Sequence, residues 1–213
     1  MPKKKRSILI WAALAACLLM IACAVVIPHL HKASDAPAEL SAAEVLTRRG
    51  MDAEVIDNPT ITAASDGPYV SREDALMILH NAELIADCTL EEISRIKVRE
   101  QSDGENVWFI TVMTLSRNRT IRGSTEEDRF RVVSAAATNE QVAFLSTPGL
   151  AECREQMHAA FLLRSIGEDD VWTIGEAEVP VKELGDFFAI RCMGFDGNSI
   201  QYQDYEFSVE EIN

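Results

Sequence analysis

Arg117, Arg119 and Arg122 carry the clearest chemical signal in the 213-residue sequence. Three guanidinium groups within six residues, interleaved with Ser116, Asn118 and Thr120, suit bidentate recognition of carboxylates or phosphates. They stand in a strongly acidic stretch of chain and are the candidate binding residues. Glu126, Glu127 and Asp128 follow closely and offer the same arginines an internal partner. Two histidines, His80 and His158, fall in the part of the chain expected to fold. Each neighbours apolar residues of an expected helix and is read as structural, so no catalytic residue is assigned. Cys88, Cys153 and Cys192 are too widely spaced for a zinc knuckle or a CxxC motif. Being three, they leave at least one thiol free or paired between chains. Cys153 lies at helical spacing from Leu150, Met157 and Phe161, which makes it a small buried hydrophobe.

Motifs for enzymatic chemistry are missing from the sequence. It has no GxSxG elbow, HExxH, Walker loop or GxGxxG. Ser94-Arg95-Ile96-Lys97 fits S-x-x-K, but the stretch alternates like a strand, which would put Ser94 and Lys97 on opposite faces. The acidic runs Glu126-Glu127-Asp128 and Glu168-Asp169-Asp170 lack the interleaved oxygens and glycine of an EF-hand loop. No cofactor and no metal site are expected.

Charge along the chain sets the context for these residues. Ile8–Ile27 is a run of 20 residues without charge, preceded by Lys3-Lys4-Lys5-Arg6. At about 1.5 Å per helical residue it spans the ~30 Å core of a bilayer. The basic flank holds the N-terminus inside and places everything after Pro28 outside. The expectation is a single-pass signal anchor contacting the lipid bilayer through residues 8–27. Two other readings share that side: a lipoprotein lipidated at Cys23 after Leu19-Met20-Ile21-Ala22, and cleavage after Ala22-Cys23-Ala24. Residues 33–213 hold 15 Lys and Arg against 34 Asp and Glu, a net charge of −19. Such a domain is repelled by nucleic acid and anionic lipid, and favours basic partners or cations.

The expected organisation is a cytoplasmic tail over 1–7, the anchor over 8–27, a Pro/Ala-rich tether over 28–68 and an extracytoplasmic domain over 69–213. One short helix is expected in the tether, where Ser41 and Glu44 form a capping box and Gly50 follows the last turn. In the domain, Ser71 caps a helix whose apolar stripe runs through Asp87. Strands are expected near 96–99, 107–115, 129–137 and 141–146, with a charged loop over 116–127. A second helix is expected from Leu150 to Ser165, then strands near 170–179, 186–195 and 199–209. The last two are joined by the turn Asp196-Gly197-Asn198. Helix, four strands, helix, three strands reads as α+β with an antiparallel sheet.

Within this order, residues 71–146 resemble a PepSY domain, a small envelope module. Ser71-Arg72-Glu73-Asp74-Ala75 is similar to its opening, and Val107-Trp108-Phe109-Ile110-Thr111-Val112 to its aromatic strand. The stretch from Phe130 to Val142 is similar to its last hairpin, with Ser or Ala where the family has Asp and Asn139 where it has Gly. The resemblance implies a non-enzymatic binding or inhibitory module outside the cytoplasm. The sequence therefore leads to a membrane-anchored extracytoplasmic accessory protein of the cell envelope, non-catalytic, binding an envelope protein and no nucleic acid. An envelope hydrolase with an unrecognised active site is the alternative.

Overall fold

The computed structural model describes residues 40–57, 63–64, 69–99, 106–139, 145–146, 150 and 152–213. They fall almost entirely within one compact unit, Ser41–Asn213. The helix α1 (Ala42–Arg48) forms where the capping box was read. The Ser41 hydroxyl accepts from Glu44 N, the Glu44 carboxylate accepts from Ser41 N, and Gly50 closes the end at φ +83°. These bonds favour ionised Glu44 and hold its carboxyl below the usual range. Leu46 and Met51 are buried, and β1 (Asp52–Val55) pairs antiparallel with β3 (Leu84–Arg99), so this segment belongs to the sheet. Between them, β2 (Ala63–Ala64) forms a short parallel pair with β6 (Leu145–Ser146). Ser71 caps α2 (Arg72–His80).

The remaining elements build a barrel. After β3 come β4 (Asn106–Arg122), β5 (Arg129–Asn139), β7 (His158–Ser165), the small hairpin of β8 (Val171–Ile174) and β9 (Ala177–Pro180), and β10 (Phe187–Phe195). A second hairpin, β11 (Ser199–Tyr202) and β12 (Tyr205–Ser208), leads into the short helix α3 (Val209–Ile212). β3, β4 and β5 follow one another by antiparallel pairing, and β7 returns to lie beside β3, a Greek-key order. β10 then joins β7 antiparallel on one side and β5 parallel on the other, which closes a ring of five strands. The last seam is short, Phe187 and Phe188 against Val132 and Val133. A partly open five-stranded Greek-key barrel is the architecture of OB-folds.

Alternation along these strands fills both sides of the wall. Leu84, Ala86, Cys88 and Leu90 of β3 point inward, with Met113, Leu115, Phe130, Val132, Phe161, Leu163 and Phe187. Ile85, Ala160, Leu162 and Met193 point outward beneath α2, β11, β12 and α3, where they meet Ala75, Leu79, Ile200, Phe207 and Ile212. The outer face of β4 and β5 is covered too. Ile110, Val112 and Val133 on it are buried, and an added Cβ on Gly185 would come within 2.8 Å of Val133 Cγ1, so the chain before β10 runs hard against β5 there.

This architecture corrects the α+β expectation of helix, four strands, helix, three strands. The described helices are short, and the domain is mostly strand. The helix expected over 150–165 is a turn followed by β7, a central strand flanked by β3 and β10. Ala159 to Leu163 are buried on both faces, and a doubly covered strand is a continuous apolar run that periodicity cannot separate from a buried helix. The same cause ended the first expected helix too late. α2 stops at His80, and Leu84 to Asp87, read as its last turn, open β3. The loop expected over 116–127 is in its first half the continuation of β4 to Arg122. The expected strand at 170–179 is the β8–β9 hairpin, and β10 stands where a strand over 186–195 was read.

The transmembrane helix over 8–27 and Cys23 lie outside the described residues. Among the described residues, no helix is long and apolar enough to cross a membrane, which corrects the description of the structure as one containing a transmembrane helix.

Candidate functional site

The three arginines of β4 do not converge. Arg117, largely buried, bonds Thr120 Oγ1, the Thr125 carbonyl and Asp128. Arg119 donates to the Gly197 carbonyl and stacks over Phe195, 4.8 Å from the ring centre. Arg122 donates to Ile212 O at 2.9 Å and so holds α3. Each guanidinium ties β4 to a different neighbour, and only Arg117 uses the acidic run 126–128. Their spacing reflects a polar strand edge bound to three surrounding segments.

The histidines part company as well. His80 Nε2 lies 2.5 Å from Glu211 O and ties α2 to α3. His158, at the start of β7, joins a polar group that sequence reasoning did not assemble. Its Nε2 is 2.9 Å from Thr89 Oγ1, and its Nδ1 is 3.8 Å from Asp87 Oδ1. Asn118 Nδ2 lies between them, 3.3 Å from Asp87 Oδ1 and 3.4 Å from His158 Nδ1. A hydroxyl, an imidazole and a carboxylate in this order resemble an activated nucleophile. One signal was available in advance: Asp87 interrupts the apolar run Ile85-Ala86-Asp87-Cys88.

The setting is unlike that of a hydrolase. Thr89 sits in mid-sheet, paired with Ser116 on β4 and His158 on β7, so the surrounding N–H groups belong to ladders and are not arranged as an oxyanion hole. The imidazole side chain is 64% exposed, and the 3.8 Å gap to Asp87 exceeds a hydrogen bond. What the group does is satisfy Asp87, which is buried beneath it with Asn118 as donor.

A recess with mixed chemistry lies where β3 changes partner. β7 accompanies β3 over 84–89 and β1 accompanies it over 96–99. Over 91–94 its outer edge has no strand partner among the described residues. There a groove of about 530 Å³ opens, lined by Val55, Ile56, Asp57, Ile93, Arg95, Arg154 and Glu155. Its ends are pinned by Ile56 N donating to Arg95 O and by Leu90 exchanging bonds with Gln156 and Met157. Arg95 is half-buried, which lowers its pKa, and it donates to Cys153 O at 2.7 Å. Arg154 and Glu155, next in the chain, are exposed. A second, shallower recess of about 320 Å³ lies beside α2, lined by Ile78, Ala82, Leu162 and Ile190 among others. Among the described residues, no group of three or more His, Cys, Asp or Glu could hold a metal ion.

No family model, curated protein or solved structure matches this chain. The barrel architecture therefore stands as a likeness of fold alone, and fold does not carry function. The sheet face on which OB-folds take oligonucleotides or oligosaccharides corresponds to the outer face of β4 and β5. Here Val133 of that face is buried, with Gly185 packed against it.

Proposed function

We propose that this domain is a non-catalytic binding module of the cell envelope, and that its contact site is the groove along β3. The observation that carries the reading is the combination at that groove. A strand edge unpartnered among the described residues meets three apolar side chains, two arginines and two acids, Asp57 and Glu155, in a domain whose remaining surface is predominantly acidic. An extended segment of a partner protein fits this chemistry. The strand edge offers main-chain hydrogen bonds, Val55, Ile56 and Ile93 offer apolar contact, and Arg95 and Arg154 offer cations to carboxylates. Among the described residues, apolar side chains pack the barrel interior. What the PepSY resemblance of residues 71–146 implies, a non-enzymatic binding module outside the cytoplasm, points the same way. The location outside the cytoplasm rests on Lys3–Arg6 and the uncharged run after them, and all readings of that segment share it.

A photo-crosslinking residue at Val55 or Arg154 in the full chain tests the proposal in cells. A discrete adduct is expected from both positions and none from Met77, which is exposed on α2. Adducts of equal yield from all three positions, or none from the groove, would remove the groove as the contact site. The hydrolase reading has one observation in its favour, the Thr89–His158–Asp87 chain. It requires His158→Ala to abolish hydrolysis of ester or amide substrates by the purified protein.

A further inference from the structure

All three cysteines of the domain are buried in one cluster inside the barrel, with Cys153 and Cys192 at its edge and Cys88 on β3. They reach it from separate elements. Cys153 lies in the turn that leads into β7, held by its own N–H to Leu150 O and by Arg95 to its carbonyl. Cys192 lies on β10, opposite Phe161 of β7. Cys88 lies opposite Ala159 of the same strand.

This placement discriminates among the pairings. Cys88 and Cys192 sit on the two strands that flank β7 and are offset along it by two residues. Two inter-strand steps put their Cα atoms on the order of 10 Å apart, beyond the ~7 Å that a disulfide can bridge. The Cys153 and Cys192 side chains, in contrast, come near enough to perturb each other's ionisation, whereas the groups that perturb Cys88 are Asp87 and Arg117. We propose that Cys153 and Cys192 form the domain's disulfide, joining the turn before β7 to β10 across the end of the barrel, while Cys88 stays a free thiol.

The chemistry of the three thiols agrees with this assignment. The Cys192 thiol, with Arg95 nearby, holds the Cys153 pKa below that of an ordinary thiol despite burial. Cys192, beside Cys153, is pushed up. Burial, with Asp87 adjacent, raises Cys88 to about 12. Cys153 is thus the attacking sulfur. Its thiolate attacks one sulfur of an external disulfide, forming a mixed disulfide and expelling one thiolate. Cys192 then loses its proton and attacks the Cys153 sulfur, expelling the second thiolate. One external disulfide becomes two thiols, and two protein thiols become one disulfide. In the cell this requires an oxidising compartment, so there it rests on the extracytoplasmic location proposed above.

The test uses purified full-length chain with glutathione disulfide, so its outcome does not depend on the compartment. After alkylation of free thiols, non-reducing tryptic mapping is expected to show the peptide ending at Arg154 linked to the peptide beginning at Cys192. Cys88 is expected to be alkylated only after denaturation. Cys88→Ser should keep the link, and Cys153→Ser should lose it without creating one to Cys88. The link should raise the thermal midpoint of the wild type above that of its reduced form. A disulfide involving Cys88, or three alkylatable thiols at oxidation equilibrium in protein that is folded by circular dichroism, would overturn the pairing. Linkage in glutathione buffer without linkage in cells would support the pairing and count against the location.

Discussion

Asp87 shows how a catalytic-looking arrangement arises from packing. An acid on the outer wall of the barrel, mostly covered by its surroundings, needs donors, and Asn118 supplies one at 3.3 Å. Removing the donor to a buried carboxylate costs more than removing an exposed neighbour. Asn118→Ala is therefore expected to lower stability in urea unfolding by about 1–3 kcal/mol. His158→Ala should change it by no more than about 1 kcal/mol, since exposed pairs contribute little. A larger loss from His158 than from Asn118 would make the imidazole the main partner of Asp87 and revive the nucleophile reading. The arginines of β4 teach the same lesson. Arg119 and Arg122 end on the carbonyls of Gly197 and Ile212, acceptors that no charge pattern announces.

At the scale of elements, β7 decides the fold. It has hydrogen-bonding partners on both sides, and its alternate side chains enter two cores, Phe161 and Leu163 inward, Ala160 and Leu162 outward. Its amides are expected to be among the slowest in the domain to exchange with solvent. Hydrogen exchange should show strong protection over 159–163, comparable with β4 over 110–115, and weak protection at Arg154 and Glu155. A helix from Leu150 to Ser165 would protect those two as well, and uniform protection across the whole stretch would contradict the strand. The β10–β11 turn is simpler. Asp196 accepts from the N–H groups of Asn198 and Ser199, which lowers its pKa and fixes the hairpin where Asp196-Gly197-Asn198 was read.

For the whole molecule, charge is the dominant property. Residues 69–213 contain 13 Lys and Arg against 27 Asp and Glu, a net of −14. Repulsion from anionic surfaces is strongest at low salt, where the screening length is long. The domain is expected neither to sediment with anionic liposomes nor to shift duplex DNA at low ionic strength. The β4 arginines do not offer a basic island against this, because each is engaged with Asp128, Gly197 or Ile212. Salt-sensitive liposome binding that is lost when Arg117, Arg119 and Arg122 become Ala would show that these contacts open to a phosphate surface.

Features set by neighbours in the chain were legible without a structure. The capping of α1 by Ser41 and Glu44, the start of α2 at Ser71, the strands at Val107 and Phe130 and the turn at Asp196 depend on contacts a few residues long. The acidic charge is a property of composition alone. Barrel closure was not legible, because it rests on β7 lying between β3 and β10, residues 70 positions and more apart for the pair Cys88 and Ala159. A strand buried on both faces loses its period-two signal, so Ala159–Leu163 and Leu84–Asp87 read as helix. The groove has the same origin. Val55, Ile93, Arg95 and Arg154 carry no common motif and meet only because β3 exchanges one partner for another at that point. The pairing of Cys153 with Cys192 is likewise a matter of which side of the barrel each strand occupies, and spacing in the chain holds no record of that.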